Sequence, residues 1–291
     1  MDGIVLIDKP KNFTSFDVVA VMRGVLHERK IGHTGTLDPM ATGVLPLLVG
    51  KATKLCDIMP IKDKRYIATI KFGLTTDTLD ITGEITSETD CDISRDIFEK
   101  VLPEFVGSIL QKPPMYSAVC KNGVRLYDLA RKGIEVERES RRVTVYFANI
   151  LKQTDKNEFE IDVSCSSGTY IRSLCDDIGR KLGCGAVLSS LRRIEACGFP
   201  IDDCVTLNKA KEMSVKELIK PIWIAVKDFP CIHVTQPQAV RFSHGGQLSL
   251  DRLHIGKNLN GIVNVKSPDN SLIGLGKIDR ESEFLNIKCL F

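Results

Sequence analysis

One segment stands out in the sequence: Gly32-His33-Thr34-Gly35-Thr36-Leu37-Asp38-Pro39-Met40-Ala41-Thr42-Gly43-Val44-Leu45-Pro46. It contains a single carboxylate, Asp38, among three glycines and two prolines. Glycine and proline adopt backbone angles that helix interiors and central strands do not use, so the segment predicts a shaped loop. Pro39 also disfavours the helical region for the Asp38 backbone. A restrained acid followed by the apolar run 44–49 is a candidate catalytic group, although a structural turn aspartate would show the same pattern.

The composition is that of a folded protein with more than one domain. Of 291 residues, 43% are hydrophobic and 26% are charged, which are ordinary values for globular chains. The formal net charge of +3 permits a nucleic-acid partner but does not require one. No apolar run approaches the roughly 18 residues of a membrane span, and the first residues do not resemble a signal peptide. We therefore expect a cytoplasmic protein.

The ten cysteines predict free thiols, because they are scattered from Cys56 to Cys289 without a Cys-x-x-Cys pair. The sequence also lacks the glycine-rich nucleotide loops, the Gly-x-Ser-x-Gly elbow and the His-Glu-x-x-His zinc motif. These absences argue against nucleotide hydrolysis, dinucleotide redox chemistry, serine hydrolysis and zinc proteolysis. A reaction that rests on a carboxylate and needs no cofactor stays open.

Hydrophobic periodicity predicts the main elements of the first part of the chain. A helix is expected from Ser15 to about His27, and a strand from Arg65 to Phe72. Residues Gly73 to Gly83 should form a polar connection. A second half-buried strand, from Phe159 to Cys165, should lead into a helix that ends near Gly183.

Two positively charged features have both a functional and a structural interpretation. Arg172 falls at the start of the predicted helix, where the helix dipole is unfavourable for a cation, so a partner carboxylate or phosphate would explain it. An ordinary surface arginine is the alternative. Lys121 to Arg142 is the most basic local region, and it is either a contact for RNA phosphates or simply a solvated face.

The sequence resembles the TruB family of tRNA pseudouridine synthases, and 32–45 is similar to the active-site motif of that family. Further similar segments, in the order of the family, are Asp8-Lys9-Pro10, Thr14-Ser15, Lys64-Arg65-Tyr66, Thr76-Asp77-Thr78-Leu79-Asp80, Pro113-Pro114-Met115-Tyr116-Ser117-Ala118, Gly123-Val124-Arg125-Leu126-Tyr127, Ala130-Arg131, Ser167-Gly168-Thr169-Tyr170-Ile171-Arg172-Ser173-Leu174 and Leu191-Arg192-Arg193. The resemblance covers about residues 1 to 225. It implies an isomerase that converts uridine 55 in the TΨC arm of tRNA to pseudouridine by base flipping.

The resemblance also implies a fold and a set of partners. The fold class is α+β: a mixed catalytic domain, residues 1–227, around a bent antiparallel sheet with flanking helices. Short β-like runs after about Asp228 resemble a small, β-barrel-like RNA-binding domain of the PUA type, residues 228–291. The implied partner is the T-arm stem-loop of tRNA, with no cofactor, no metal, no membrane and no obligatory protein partner, and a monomer is expected.

The matching positions carry roles by resemblance. Asp38 corresponds to the catalytic aspartate and Arg172 to the arginine that pairs with it. Tyr66 corresponds to the tyrosine that stacks on the flipped uracil. The remaining substrate-binding positions are Tyr170 and Leu191, which line the uracil pocket, and His33, which enters the space left by flipped bases.

Two other functional classes are compatible with parts of this pattern. An RNA-binding or RNA-folding protein would use the same surface without turnover, but it has no need of an ion pair in its base pocket. A carboxylate-dependent glycosidase of free nucleosides would not need the basic region. The sequence leaves open whether Asp38 attacks C6 of uracil, attacks C1′ of the ribose, or removes a ribose proton.

Overall fold

Strands and short helices alternate along the chain in the computed structural model, which describes residues 1–121, 123–253, 255–256 and 258–291. The strands are β1 (Gly3–Lys9), β2 (Ile31–His33), β3 (Thr42–Val49), β4 (Lys64–Phe72), β5 (Leu74–Thr76), β6 (Ile85–Glu88), β7 (Gly107–Gln111), β8 (Cys120–Lys121), β9 (Val124–Arg125), β10 (Arg141–Asp155), β11 (Glu158–Cys165), β12 (Ala186–Ala196), β13 (Phe199–Pro200), β14 (Val205–Thr206), β15 (Cys231–His233), β16 (Leu248–Ser249), β17 (Gly261–Lys266), β18 (Leu272–Asp279) and β19 (Phe284–Leu290). The α-helices are α1 (Ser15–Leu26), α2 (Arg95–Val101), α3 (Leu126–Ala130), α4 (Ile171–Lys181), α5 (Leu207–Glu212), α6 (Val215–Leu218) and α7 (Gln236–Ser243).

A large mixed sheet forms the centre of the molecule. Its strand order is β14-β1-β3-β12-β4-β11-β10-β7, with β2 paired to β3 and β13 paired to β12. The β1–β14 and β3–β12 pairings are parallel and the others are antiparallel. This arrangement of helices against a mixed sheet confirms the α+β class. In this order β12 lies between β3 and β4. The loop between β2 and β3 therefore lies near β12 and β4, which are distant from it in the sequence.

Helix α1 forms for reasons that the sequence already contains. The Thr14 side chain accepts from the Asp17 N–H, and the Asp17 carboxylate accepts from the Thr14 N–H, so two free donors of the first turn are satisfied. Val18, Met22 and Leu26 lie on one face and are buried against the large sheet. The predicted helix is confirmed.

Strands β4 and β11 contribute side chains to the hydrophobic core on the other face of the sheet. Alternate residues of β4, from Tyr66 to Phe72, are buried, and they pack with alternate residues of β11, from Phe159 to Cys165. The apolar face of α4 covers them, and Gly183 ends that helix with a φ of +75°. The predicted strands and helix are therefore confirmed.

Two predicted connections are more regular than expected. The loop predicted for Gly32 to Pro46 is limited to 34–41, because β3 already begins at Thr42 and includes Pro46. The carbonyl of Pro46 accepts from the Thr34 N–H, on the side where β2 has ended, so the missing N–H of the proline leaves no strand partner unpaired. Likewise, Gly73 to Gly83 contains β5, which pairs with β6 in a hairpin.

A second sheet of five strands, in the order β15-β17-β18-β19-β16, is formed by the last part of the chain. It contains each of the β-like runs predicted there. One side packs on α7 around Phe242. From the other side, Leu275 and Cys289 join an apolar cluster that includes Ile4 and Leu6 of β1. Among the described residues, no helix combines the length and the apolar character of a bilayer span.

Candidate active site

The loop between β2 and β3 is shaped by a buried arginine beneath it. Arg193 on β12 has no exposed surface, and its guanidinium donates to the carbonyls of Val44 at 2.7 Å, Gly35 at 3.2 Å and Thr36 at 3.5 Å. A side chain at Gly43 would place its Cβ 2.1 Å from the Arg193 carbonyl oxygen, and the φ of Gly43 is +107°. Glycine is therefore required where the loop enters β3 beside β12.

A second buried cation and a serine hold the other half of the loop. Lys9 is also fully buried, and its Nζ donates to the carbonyls of Pro10 at 2.9 Å, Phe13 at 2.6 Å and Pro39 at 3.4 Å. Burial lowers the pKa of Lys9 to about 8. The Ser15 hydroxyl at the start of α1 accepts from the Leu37 N–H at 2.8 Å. The residues on both sides of Asp38 are thus tied to β1 and α1.

Asp38 faces Arg172 in a two-point ion pair. Arg172 Nε lies 2.9 Å from Asp38 Oδ2, and Nη2 donates to Oδ1 at 3.1 Å. This fork fixes the direction of the carboxylate as well as its distance. Arg172 is only 5% exposed, so the alternative of a surface arginine is wrong and the expected partner carboxylate is present.

The other donors of Arg172 are taken by two further chain segments. Nη2 donates to the Tyr116 carbonyl at 2.7 Å, and Nη1 donates to the Thr78 carbonyl at 3.1 Å. Nη1 also lies 3.7 Å from a carboxylate oxygen of Asp80, which is itself buried and accepts from Thr82. Arg172 therefore links Asp38 to the connection after β5 and to the segment that follows β7.

Opposing electrostatic effects act on the Asp38 carboxyl. Burial raises its pKa above the ordinary value of 3.8, Arg172 opposes this rise, and the negative charge of Asp80 adds to it. A third of the side chain, 33%, stays exposed. The result is a directed carboxylate with an accessible edge, which can act as a nucleophile or as a base.

Five of the six predicted site residues line one cavity. Its volume is about 230 Å³. Asp38, Tyr66, Tyr170, Arg172 and Leu191 all form its wall, together with Lys64 and Ser117 among others. Lys64 is the second basic side chain of this wall after Arg172, and burial lowers its pKa because it disfavours the charged ammonium. The mixture of aromatic and apolar side chains with a few charged groups is typical of a pocket that binds a small molecule or group.

The two tyrosines of the cavity are held in different ways. Tyr66 projects from β4 and is 6% exposed, and burial raises its pKa to about 12, so the phenol stays neutral. Tyr170 precedes α4, and the amide of Gln111 pairs with its backbone: the Tyr170 N–H donates to Oε1 at 2.7 Å, and Nε2 donates to the Tyr170 carbonyl at 3.0 Å. Both residues therefore line the cavity from fixed backbone positions.

His33 is placed apart from the other five residues. It ends β2, pairs with Leu47 of β3, and is not among the residues that line the cavity. Burial lowers its pKa, and the positive charge of Arg193 lowers it further. An imidazole in this setting is neutral at neutral pH.

Several residues of the site were not identified from the sequence. Asp80, Arg193 and Gln111 were not assigned a role, although the segments that contain Asp80 and Arg193 were quoted as family-like. A signal did exist for Asp80, since an acid between two threonines in a polar connection satisfies itself locally, as it does here through Thr78 and Thr82. Within the described parts of the chain, no three metal-ligating side chains are grouped together.

Comparisons with known proteins agree on one family. A family model described as "TruB family pseudouridylate synthase (N terminal domain)" matches residues 23–171, and "tRNA pseudouridylate synthase B C-terminal domain" matches residues 172–224. A tRNA pseudouridine synthase B of Clostridium perfringens (strain 13 / Type A) is 41% identical over 283 residues, which are 97% of this chain and 96% of the relative. That of Dechloromonas aromatica (strain RCB) is 44% identical over 260 residues, covering 88% and 87%.

The fold has solved counterparts as well. A chain in the "Crystal Structure of a Cbf5-Nop10-Gar1 Complex" superposes with a TM-score of 0.72 at 29% sequence identity. The match covers 94% of this chain and 78% of that chain. Both sheets of the molecule are therefore included in the similarity.

Proposed function

This chain belongs to the TruB family of pseudouridylate synthases, and from that premise we propose that it converts uridine 55 in the T arm of tRNA to pseudouridine. The observation that carries the proposal is the two-point pair of Arg172 and Asp38 on the wall of a cavity that Tyr66 also lines. The relatives named tRNA pseudouridine synthase B support tRNA as the substrate.

The reaction moves one bond and consumes nothing. The N1–C1′ bond of the uridine breaks, the uracil turns, and C5 becomes bonded to C1′. The proton leaves C5, and N1 carries a proton in the product, so atoms and electrons balance without a cofactor. Asp38 supplies the carboxylate that acts on the nucleotide, and Arg172 keeps it ionised and aimed through two charge-assisted hydrogen bonds.

The base must leave the RNA stack before the carboxylate can reach it. Flipping costs a few kcal/mol, and stacking on an aromatic ring returns about 1–3 kcal/mol per base. The ring of Tyr66 provides that face, Tyr170 and Leu191 close the pocket around the base, and His33, outside the pocket, occupies the space that the base leaves.

The rest of the RNA is held by contacts that do not read sequence. Lys121 to Arg142 carries exposed cations beside the cavity, including Arg125 and Arg131, which both stack over the ring of Tyr127. Such groups bind phosphates, and the folded shape of the T arm supplies specificity. We propose that the chain acts as a monomer without a protein partner, and that its RNA-binding domain of the PUA type begins at Asp228.

Substitution of Asp38 tests the proposal. The substrate is a T-arm stem-loop with 5-tritiated uridine at position 55, from which pseudouridine formation releases tritium. Asp38→Asn keeps the size of the side chain but removes its charge, so we expect RNA binding to persist and tritium release to fall to background. The exposed acid Asp92 provides a matched control, and Asp92→Asn should release tritium at the wild-type rate.

Two outcomes would contradict the proposal. Wild-type protein that binds the stem-loop without releasing tritium would be an RNA-binding protein rather than an enzyme. Equal rates for Asp38→Asn and wild type would remove Asp38 from the mechanism. A second stem-loop with cytidine at position 55 and tritiated uridine elsewhere in the loop tests the position, since it should release no tritium.

A further inference from the structure

Ser117 presents a hydroxyl with no hydrogen-bond partner among the described residues. The residue is 5% exposed and lines the cavity that contains Asp38 and Arg172. A buried hydroxyl without a partner destabilises the folded chain, and most buried polar atoms in proteins are paired. The unpaired hydroxyl therefore indicates a partner that arrives with the substrate.

The backbone of Ser117 is fixed while its side chain is free. The Ser117 N–H donates to the Met115 carbonyl at 2.9 Å, and the Ser117 carbonyl accepts from the Tyr127 N–H at 3.2 Å. These two bonds use both main-chain groups. The hydroxyl is the group of Ser117 that is left to bind a ligand. Its Oγ is buried in the free chain, so it reaches the cavity by rotation about the Cα–Cβ bond.

Ser117 is also tied to the candidate catalytic carboxylate. The carbonyl of the preceding residue, Tyr116, accepts from Arg172 Nη2, and the same nitrogen donates to Asp38 Oδ1. Ser117 is therefore the residue that follows Tyr116, whose carbonyl is bonded to the same Arg172 nitrogen as the Asp38 carboxylate. If Asp38 acts at the glycosidic bond, we expect the nucleotide atoms on either side of that bond to lie near Ser117.

We propose that the Ser117 hydroxyl binds an oxygen of the flipped nucleotide that flanks the glycosidic bond. This inference rests on the proposed function. Two oxygens have this chemistry: O2 of uracil, on the carbon next to N1, and the 2′-hydroxyl, on the carbon next to C1′. Either one accepts a hydrogen bond from serine. A site built around such a bond rejects a nucleotide that lacks the oxygen, because the buried hydroxyl then stays unpaired.

Removal of the Ser117 hydroxyl should slow the reaction with the substrate without lowering the stability of the fold. We expect Ser117→Ala to lower the single-turnover rate constant on the T-arm stem-loop about tenfold, the loss typical of one hydrogen bond, while its Tm stays at or above that of the wild type. The matched control is Ser173→Ala. Ser173 is equally buried, but its hydroxyl already donates to the Lys112 carbonyl at 3.0 Å. That variant should lose Tm and keep its rate within about twofold.

Two modified stem-loops identify the oxygen. One carries 2′-deoxyuridine and the other 2-thiouridine at the target position, and rate constants and RNA dissociation constants are measured for both proteins. With the analogue whose altered atom is the true partner, the tenfold difference between the wild type and Ser117→Ala should disappear, whatever the analogue itself does to the rate. A Ser117→Ala variant within twofold of wild type on unmodified RNA, or one that keeps its deficit with both analogues, would overturn the inference. Wild-type protein inactive on unmodified RNA would instead refute the proposed function.

Discussion

Asp38 illustrates how the environment of one residue sets the pH range of the site. Its carboxyl is partly enclosed, paired with Arg172 and close to a second acid, Asp80. Burial has the largest effect and raises its pKa above 3.8. The ionised form is the one that acts on the nucleotide, so the raised pKa determines where activity begins to fail on the acid side.

The pH dependence of the rate follows from that shift. Activity should be lost as the pH falls through the raised pKa of Asp38, so the acid limb of the single-turnover rate should be centred above 3.8, the ordinary value for aspartate. The measurement is tritium release across the acid range at protein concentrations well below saturation, where the rate reports the pKa of the free protein. Circular dichroism at each pH shows that the fold persists. An acid limb centred at or below 3.8 would contradict the structure.

At the residue scale, the sequence indicated that Arg172 could have an anionic partner, but it did not reveal the other contacts of the site. An arginine at a helix start is unfavourable for the helix dipole, so a carboxylate or phosphate partner was one of two interpretations of Arg172, and the carboxylate is present. The sequence did not predict that Asp80 would share this arginine, nor that Ser117 would line the cavity. These contacts join residues tens of positions apart, and only the pairing order of the large sheet brings them together.

The loop at 34–41 is stabilised mainly from beneath, by side chains of other elements. Lys9 of β1 and Arg193 of β12 donate to carbonyls of this loop and its flanks. Ser15 of α1 adds a bond to the backbone of Leu37. Donors that come from three separate elements fix a segment that has no helix or strand of its own.

Replacement of Lys9 should expose this dependence. Lys9→Met preserves the length of the side chain but leaves the carbonyls of Pro10 and Phe13 without their donor. We expect the free energy of unfolding to fall by about 2 kcal/mol, since each buried unpaired group costs roughly 1–3 kcal/mol. Urea unfolding gives the value, and Lys11→Met at an exposed neighbour should change it by less than about 0.5 kcal/mol. An equal effect of the two substitutions would show that the buried donor is not needed.

The elements were predictable where the local pattern decides them. A capping box and a regular apolar face gave α1 its correct bounds, and alternation gave β4 and β11. The loop prediction was wrong for 32–33 and for 42–46, because the glycines and prolines of the segment, Pro46 among them, argue against a strand. The proline is accommodated only because β2 stops beside it, which is a property of the sheet rather than of the local sequence.

The whole molecule is held together by an apolar cluster that both sheets share. Leu275 of β18 and Ile4 of β1 are fully buried in it, and Trp223, the one tryptophan of the chain, is partly buried against it. The ammonium of Lys266 lies 3.9 Å from the centre of the Trp223 ring. The side-chain amide of Asn264 donates to the carbonyls of Val226 and Phe229. The two sheets are thus joined by packing, and the second sheet is also hydrogen-bonded to the segment that connects them.

A shared core predicts cooperative unfolding. In urea, the fluorescence of Trp223 and the circular dichroism of the whole chain should change together, because the tryptophan lies where the sheets meet. Leu275→Ala should lower the free energy of unfolding by about 2–5 kcal/mol and shift both signals to the same new midpoint. A fluorescence transition that precedes the loss of secondary structure would mean that the sheets separate before either unfolds.

Arg172 couples several chain segments, so substitutions in the active site should affect one another. One guanidinium joins the loop at 34–41, the connection after β5, the segment after β7 and the start of α4. Substitutions at positions that share one partner do not add. A change at Asp38, Asp80 or Arg172 therefore alters what a change at the other two costs. The active site is therefore expected to respond to substitution as one coupled unit rather than as a set of separate residues.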